Sequence, residues 1–209
     1  LFRSSFSFSP LIFSRASSRV NPASNATLKP SFAPSSSVAD FFLRLGALDQ
    51  VRCVSTASES WQLPELVQAL EEESLLYVGK YSAPDYELLL EQDCDLIVEN
   101  TMILHNPQTR EKLEALGFAV MLEYSSYEPH PLGRTEWIRL YGILTGKSEQ
   151  ADAFFEEQLD LFRDMEQGET DGKTVAFFHF TSNGAVTVRG QNDYVTRMIE
   201  LAGGVNAIR

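Results

Sequence analysis

Apolar residues recur at three- and four-residue steps through Ser148 to Gln167, SEQADAFFEEQLDLFRDMEQ. Ala151, Phe154, Phe155, Leu159, Phe162 and Met165 share one helical face, while Glu156, Glu157, Asp160, Arg163 and Asp164 take the other. Ser148 is the expected N-cap, with Glu149 in the first turn, and Gly168 is the expected C-terminal stop. A helix of this length rises about 30 Å, the diameter of a small domain, and is expected to act as a beam between two lobes.

Before this beam, short apolar runs alternate with amphipathic ones. VADFFLRLGALDQV puts Val38, Phe41, Phe42 and Leu45 on one helical stripe that ends at Gly46, and VRCVS follows as a strand. Trp61 to Glu73 predicts a helix, and LLYVG predicts a strand ending at Gly79. Pro84 is expected to open a helix that Tyr86 to Glu91 continue, with Asp95 to Glu99 next as a buried strand. After the loop TMILHN come the helix PQTREKLEALG and the strand AVMLEY. Thr135 to Thr145 predicts a compact helix with Trp137, Leu140, Tyr141 and Leu144 on one face.

Beyond the beam, Thr174 to Phe180 and AVTVRG predict strands, and Asp193 to Ala202 predicts a helix closing at Gly203-Gly204. The alternation predicts an α/β fold of two Rossmann-like lobes joined by a single long α-helix. One or two strands cannot cover both faces of a parallel sheet, so the second lobe is expected to be incomplete in this chain. The expected organisation is a segment 1–37, an N-terminal α/β lobe 38–147, the inter-lobe helix 148–167 and a partial C-terminal lobe 168–209.

Composition narrows the partners. With 29 acidic against 17 basic residues and a net charge of -12, neither a nucleic-acid backbone nor an anionic membrane surface is an expected partner. The acids all lie from Asp40 onward. Residues 1–37 are Ser-rich and carry Arg3, Arg15, Arg19 and Lys29, a composition that builds no packed core, so they are expected to be disordered, mis-read or a targeting segment. Because the chain begins at Leu1, a fragment or mis-read start whose export signal is missing is the expectation. The two cysteines, Cys53 and Cys94, make no CxxC motif and are expected to be inert core thiols. No run of about 20 apolar residues predicts a membrane-spanning helix.

Enzyme signatures are weak. In GILTGKS, Gly142, Gly146, Lys147 and Ser148 fall one residue short of a phosphate-loop spacing and lie between two helices. Neither GxGxxG nor GxSxG occurs, and Asp93-x-Asp95 is expected to be a cap and a strand-edge carboxylate.

Five strings in order, SSSVADFFLRLGALDQV, GKYSAPDYELLLEQDCDLIVE, EKLEALG with AVMLE, SSYEPHPLGRTEWIRLYGILTGK and DYVTRMIELAGGVN, resemble the substrate-binding proteins of ABC importers. The resemblance covers about residues 34–209 and is to the iron-siderophore and cobalamin class with a rigid helical connection. It implies a receptor without catalysis or intrinsic cofactor, expected to be monomeric, which captures an iron chelate in its inter-lobe cleft and delivers it to an ABC permease in the membrane. It also implies an extracytoplasmic location, periplasmic or lipid-anchored. The alternatives within the architecture are a cobalamin or haem receptor and a receptor for bare zinc or manganese. From another class, the alternative is a Rossmann-like α/β enzyme.

Glu87 sits where the resemblance places a permease-docking carboxylate, a rim contact useful for register. The competing role is an ordinary solvated acid. Tyr124 to Trp137 leaves a strand end and enters a helix, where open α/β sheets bind ligands. Arg134 offers a fork of donors to an anionic oxygen, and Tyr124, Tyr127 and Trp137 offer flat faces. Arg134 has a competing role as an ion-pair partner of Glu128 or Glu136, and Trp137 as a core residue. His130, Arg189 and Tyr194 complete the expected ligand contacts. His105, Glu128, His130 and His179 form the weaker metal alternative, each histidine expected just after or at the end of a strand.

Overall fold

The structure, a computed structural model, describes residues 31–33, 36–166 and 172–208. The expectations for residues 1–30 and for Gly168 as a helix stop lie outside the described residues.

In chain order, strand β1 (Ser31–Ala33) precedes helix α1 (Ser36–Arg44), which buries Val38, Ala39 and Phe42. Gly46 then turns the chain at φ 61°, a left-handed conformation that costs glycine nothing. Strand β2 (Val51–Val54) leads to α2 (Pro64–Glu71), which is shorter than the expected helix from Trp61. Pro64 disfavours helical geometry in the residue before it, and the Trp61 indole donates instead to the Thr56 carbonyl at 3.0 Å.

Strand β3 (Leu76–Tyr77) and a two-residue hairpin, β4 (Gly79–Lys80) with β5 (Ala83–Pro84), precede α3 (Tyr86–Glu91). Pro84, expected to open α3, pairs in β5. Asp85 is the N-cap, its carboxylate accepting from the backbone N–H groups of Glu87 at 3.1 Å and Leu88 at 3.0 Å. An aspartate is the stronger start signal because it satisfies orphan donors that proline cannot reach.

Strand β6 (Leu96–Asn100), α4 (Pro107–Ala115) and β7 (Ala119–Glu123) follow. Helix α5 (Pro131–Thr145) begins at Pro131 rather than Thr135, because proline in a first turn loses no hydrogen bond. Helix α6 spans Ser148–Glu166. After it come β8 (Thr174–Val175), β9 (Phe178–Phe180), β10 (Val186–Val188), α7 (Tyr194–Leu201) and β11 (Val205–Asn206).

The principal sheet runs β3-β2-β1-β6-β7, with every pairing parallel. Its middle strand, β1, comes from the segment expected to lack order. Three residues suffice there because both edges are paired, Phe32 standing opposite Cys53 on one side and Ile97 on the other. A Ser-rich composition read over a long window hides so short a strand.

The described residues form two compact units. One holds the described residues up to Tyr124 together with Leu140–Gln150, and the other holds Ser125–Arg139 with the described residues from Ala151 onward. This division differs from the expected boundary at residue 147. The first half of α5 belongs with α6 because Arg139 binds Asp152 at 2.8 Å and Glu156 at 2.9 Å while lying over the Phe155 ring.

In the first unit, Cys53, Leu89, Cys94, Ile97, Leu113 and Val120 belong to one buried cluster. Tyr141 is fully buried against Phe41 and Phe42, with ring centroids 5.2 and 5.5 Å away. Arg52 ties β2 to the following turns. It donates to the carbonyls of Glu73 at 2.7 Å and Ser74 at 2.6 Å and to the Gln92 side chain at 2.8 Å.

In the second unit the strand expected over Thr174–Phe180 is two short pieces. β8 pairs parallel with β11, whereas β9 pairs antiparallel with β10. Phe177, Phe178, Phe180, Val186 and Val188 are exposed, an apolar surface that solvent does not favour. The apolar face of α6 is buried chiefly at Ala151 and Phe155, while Met165 is exposed.

Candidate functional site

The segment between β7 and α5 is held by its own sequence. A 3-10 turn covers Ser125–Tyr127. From the first turn of α5, Arg134 reaches back: Nε donates to the Glu128 carbonyl at 3.1 Å and Nη2 to the Ser126 carbonyl at 2.6 Å. The Trp137 indole donates to the Glu128 carboxylate at 3.1 Å. Gly133 allows this approach, since a Cβ there would lie 3.2 Å from Glu128 Oε2. His130 accepts the Leu132 backbone N–H on Nδ1 at 3.1 Å, which puts the proton of its neutral ring on Nε2. Arg134 thus pairs with backbone carbonyls rather than with the Glu128 or Glu136 carboxylates expected as its alternative partners.

The guanidinium of Arg134 also lies over the Tyr194 ring, 3.6 Å from its centroid. Two expected ligand contacts from distant parts of the chain are therefore one stacked pair, with a positive plane fixed on an aromatic face. Asp193 supports Tyr194 by capping α7, accepting from the Val195 N–H at 2.9 Å, and it also accepts from Arg189 at 3.3 Å. Arg189 is half-buried in this cap. Asn206 ties the same corner, donating to the Arg189 carbonyl and to Thr196 Oγ1.

A cavity of about 820 Å³ opens beside α7. Its polar lining includes His130, Asp193, Thr196, Arg197, Glu200 and Asn206. Of the expected ligand contacts, His130 lines this cavity. Tyr194 lines a second space of about 620 Å³ with Val175, Phe177 and Met198. Tyr127 is 69% exposed, so its ring is presented to solvent. Trp137 is buried and belongs to the core, as its competing role has it, and Tyr124 is half-buried at the end of β7.

The metal alternative meets a different geometry. His179 stands mid-strand in β9, opposite Thr187, rather than at a strand end, and it is exposed. His105 ends the 3-10 turn Thr101–His105 after β6. The Glu128 carboxylate is engaged by Trp137. Among the described residues no group of three His, Cys, Asp or Glu side chains is placed to hold a metal ion.

Several features had no strong signal in the pattern. Tyr77, Met102 and Leu104 are exposed at or just beyond the carboxyl ends of β3 and β6, the ends at which parallel sheets present ligand contacts. Glu99, at the same end of β6, is wholly buried, and neither carboxylate oxygen meets a hydrogen-bond partner among the described residues. Burial pushes its carboxyl up to about 8, so it is largely neutral at pH 7. Burial, and secondarily the charge of Glu123, also push the Tyr141 phenol well above its ordinary value. A glutamate inside LIVEN reads as a strand end, and nothing in its spacing announces a buried acid.

The comparisons with known proteins agree with this fold. A sequence profile of the periplasmic binding protein family matches residues 33–209. An uncharacterized lipoprotein of Methanocaldococcus jannaschii is 26% identical over 150 residues, covering 68% of this chain and 38% of its own. The chain therefore spans well under half the length of that relative. Among solved structures, a periplasmic binding protein from Veillonella parvula superposes with a TM-score of 0.70 at 14% identity, covering 88% of this chain and 62% of that one. The periplasmic haem-binding protein HutB of Vibrio cholerae superposes with a TM-score of 0.67 at 20% identity, covering 87% of this chain and 66% of that one. A family profile running from the central strand of the sheet to the last residue, over an α/β fold shared with these structures, places the chain: it belongs to the periplasmic binding protein family.

Proposed function

We propose that the chain is the solute-binding component of an ABC importer, capturing an anionic iron chelate of the ferric-siderophore type and delivering it to the membrane permease. The observation that carries this reading is the Arg134–Tyr194 stack at the end of a loop pinned by Arg134 and Trp137. A fixed cation on an aromatic face suits an anionic ligand that presents aromatic rings, such as the catecholate rings of a ferric chelate. Because the loop is already ordered, little entropy is lost when a ligand arrives. The role is binding and hand-over, not catalysis, and the location is extracytoplasmic, periplasmic or lipid-anchored. The lipoprotein relative and the family support that location. No helix among the described residues is long and apolar enough to cross a membrane.

A second reading, a haem or cobalamin receptor, is favoured by the exposed Tyr127 ring, a flat face for a macrocycle. Titration of the protein with ferric catecholate, haem, cobalamin and Zn²⁺, followed by tryptophan fluorescence, separates the readings. Saturable quenching by the ferric chelate supports the first, and saturation by a macrocycle alone supports the second. Response to Zn²⁺ alone, or to none of the four, removes both.

Glu87 is exposed on α3, and the Asp85 cap engages the Glu87 backbone N–H rather than the Glu87 carboxylate. In vesicles carrying the cognate permease, Glu87→Lys is expected to lower transport several-fold while chelate affinity stays unchanged. Equal transport by the variant would remove Glu87 from docking.

A further inference from the structure

The chain has two cysteines, and the fold brings them together. Cys53 lies on β2 and Cys94 in the turn entering β6, both fully buried within one apolar cluster with Leu89, Ile97 and Val120. Their thiols hydrogen-bond to each other. This meeting is built by the backbone around it. Asp93 takes a left-handed φ of 49°, closing the end of α3 and turning the next residue back into the core. On the neighbouring position of β2, Arg52 donates from Nε to the Gln92 side chain at 2.8 Å, clamping the same turn to the strand. These contacts hold the turn before Cys94 against β2 and are made by neither thiol.

We propose that Cys53 and Cys94 are a disulfide-forming pair, which locks β2 to the entrance of β6 when the chain folds under oxidising conditions. Neither thiol is accessible in the folded core, so the exchange takes place as the chain folds. One thiolate attacks a small-molecule disulfide and expels one thiol as a mixed disulfide forms. The second cysteine then attacks the mixed disulfide at the protein sulfur and expels the other thiol. Two protein thiols are oxidised, one external disulfide is reduced to two thiols, and the bond closes a loop of about 40 residues. In the fold, the hydrogen bond from Cys94, aided by the charge of Arg52, lowers the Cys53 thiol against the opposing effect of burial, and the same pairing together with burial raises Cys94. That the cell supplies such conditions rests on the extracytoplasmic location proposed above. The chemistry of the pair does not.

The test is to reduce and denature the 209-residue protein, refold it in a buffer of oxidised and reduced glutathione, and then count thiols in denaturant and map tryptic peptides without reductant. The expected result is loss of both thiols, with peptide 53–80 joined to peptide 81–110. Protein refolded in this way is expected to melt roughly 5–10 °C above protein kept reduced. Cys53→Ala and Cys94→Ala are each expected to abolish that difference between the two buffers. Two titratable thiols in refolded protein with native circular dichroism would overturn the proposal, as would a joined peptide pair found only in protein lacking native circular dichroism. Because thiol counting is blind to ligand, failure here leaves the receptor reading standing, and failure of the chelate titration leaves the disulfide standing.

Discussion

Replacing Glu99 by Gln is expected to raise the melting temperature at pH 8.5 by roughly 10 °C and to change it little at pH 4. The side chain is wholly buried at the end of β6, with both oxygens unpartnered among the described residues. Its folded carboxyl is pushed up to about 8 by burial, against an ordinary value of 4.5. The unfolded chain therefore ionises first as pH rises. Stability from this group is full below about pH 4.5, falls between there and pH 8, and is flat above. At 1.36 kcal/mol for each unit, the loss is on the order of 5 kcal/mol. The remaining acids titrate equally in both proteins, so the difference between wild type and Glu99→Gln isolates this carboxyl. Parallel melting curves for the two proteins across pH 4 to 8.5 would show that Glu99 is solvated in the folded state.

Arg134→Ala is expected to weaken an anionic ferric chelate by about 1.5–3 kcal/mol, roughly 10- to 100-fold in Kd. The substitution removes the charge and frees the carbonyls of Ser126 and Glu128 that the guanidinium holds. Arg134→Lys separates the two effects. Lysine keeps the charge, but its ammonium has no planar fork to bond two carbonyls while lying flat on Tyr194. The lysine protein is therefore expected to recover only a small part of the lost affinity, measured by fluorescence titration. Full recovery would mean that Arg134 acts as a point charge and not as the staple of its loop. Unchanged affinity in the alanine protein would place Arg134 outside the site.

The elements whose periodicity is long are legible in the sequence alone. Helix α6, the alternation from α1 to β7 and the helix after Asp193 all follow from three- and four-residue steps or short β-branched runs. What escaped is set by partners far along the chain. Strand β1 is too short to carry a pattern and exists because β2 and β6 pair with both its edges. The start of α3 was misplaced because proline and aspartate stand side by side as competing signals, and only the hydrogen bonds of Asp85 decide between them.

At the site, the loop before α5 was visible as a strand-to-helix passage. The pairing of Arg134 with Tyr194 was not, although each was named on its own. Its bonds to backbone carbonyls were missed because sequence shows which carboxylates lie near an arginine and shows no carbonyl direction. The sequence predicts inert core thiols and shows no pair for a similar reason: spacing along the chain gives no sign that Asp93 turns Cys94 towards β2.

The most direct measurement of the central claim is amide hydrogen exchange on the protein with and without a saturating ferric catecholate. If the chelate is held by the pinned loop and the guanidinium stacked on Tyr194, exchange should slow in residues 124–137 and 189–194 and stay unchanged on the exposed hairpin of β9 and β10. Binding without protection in either segment, or no binding of the chelate at all, would contradict it.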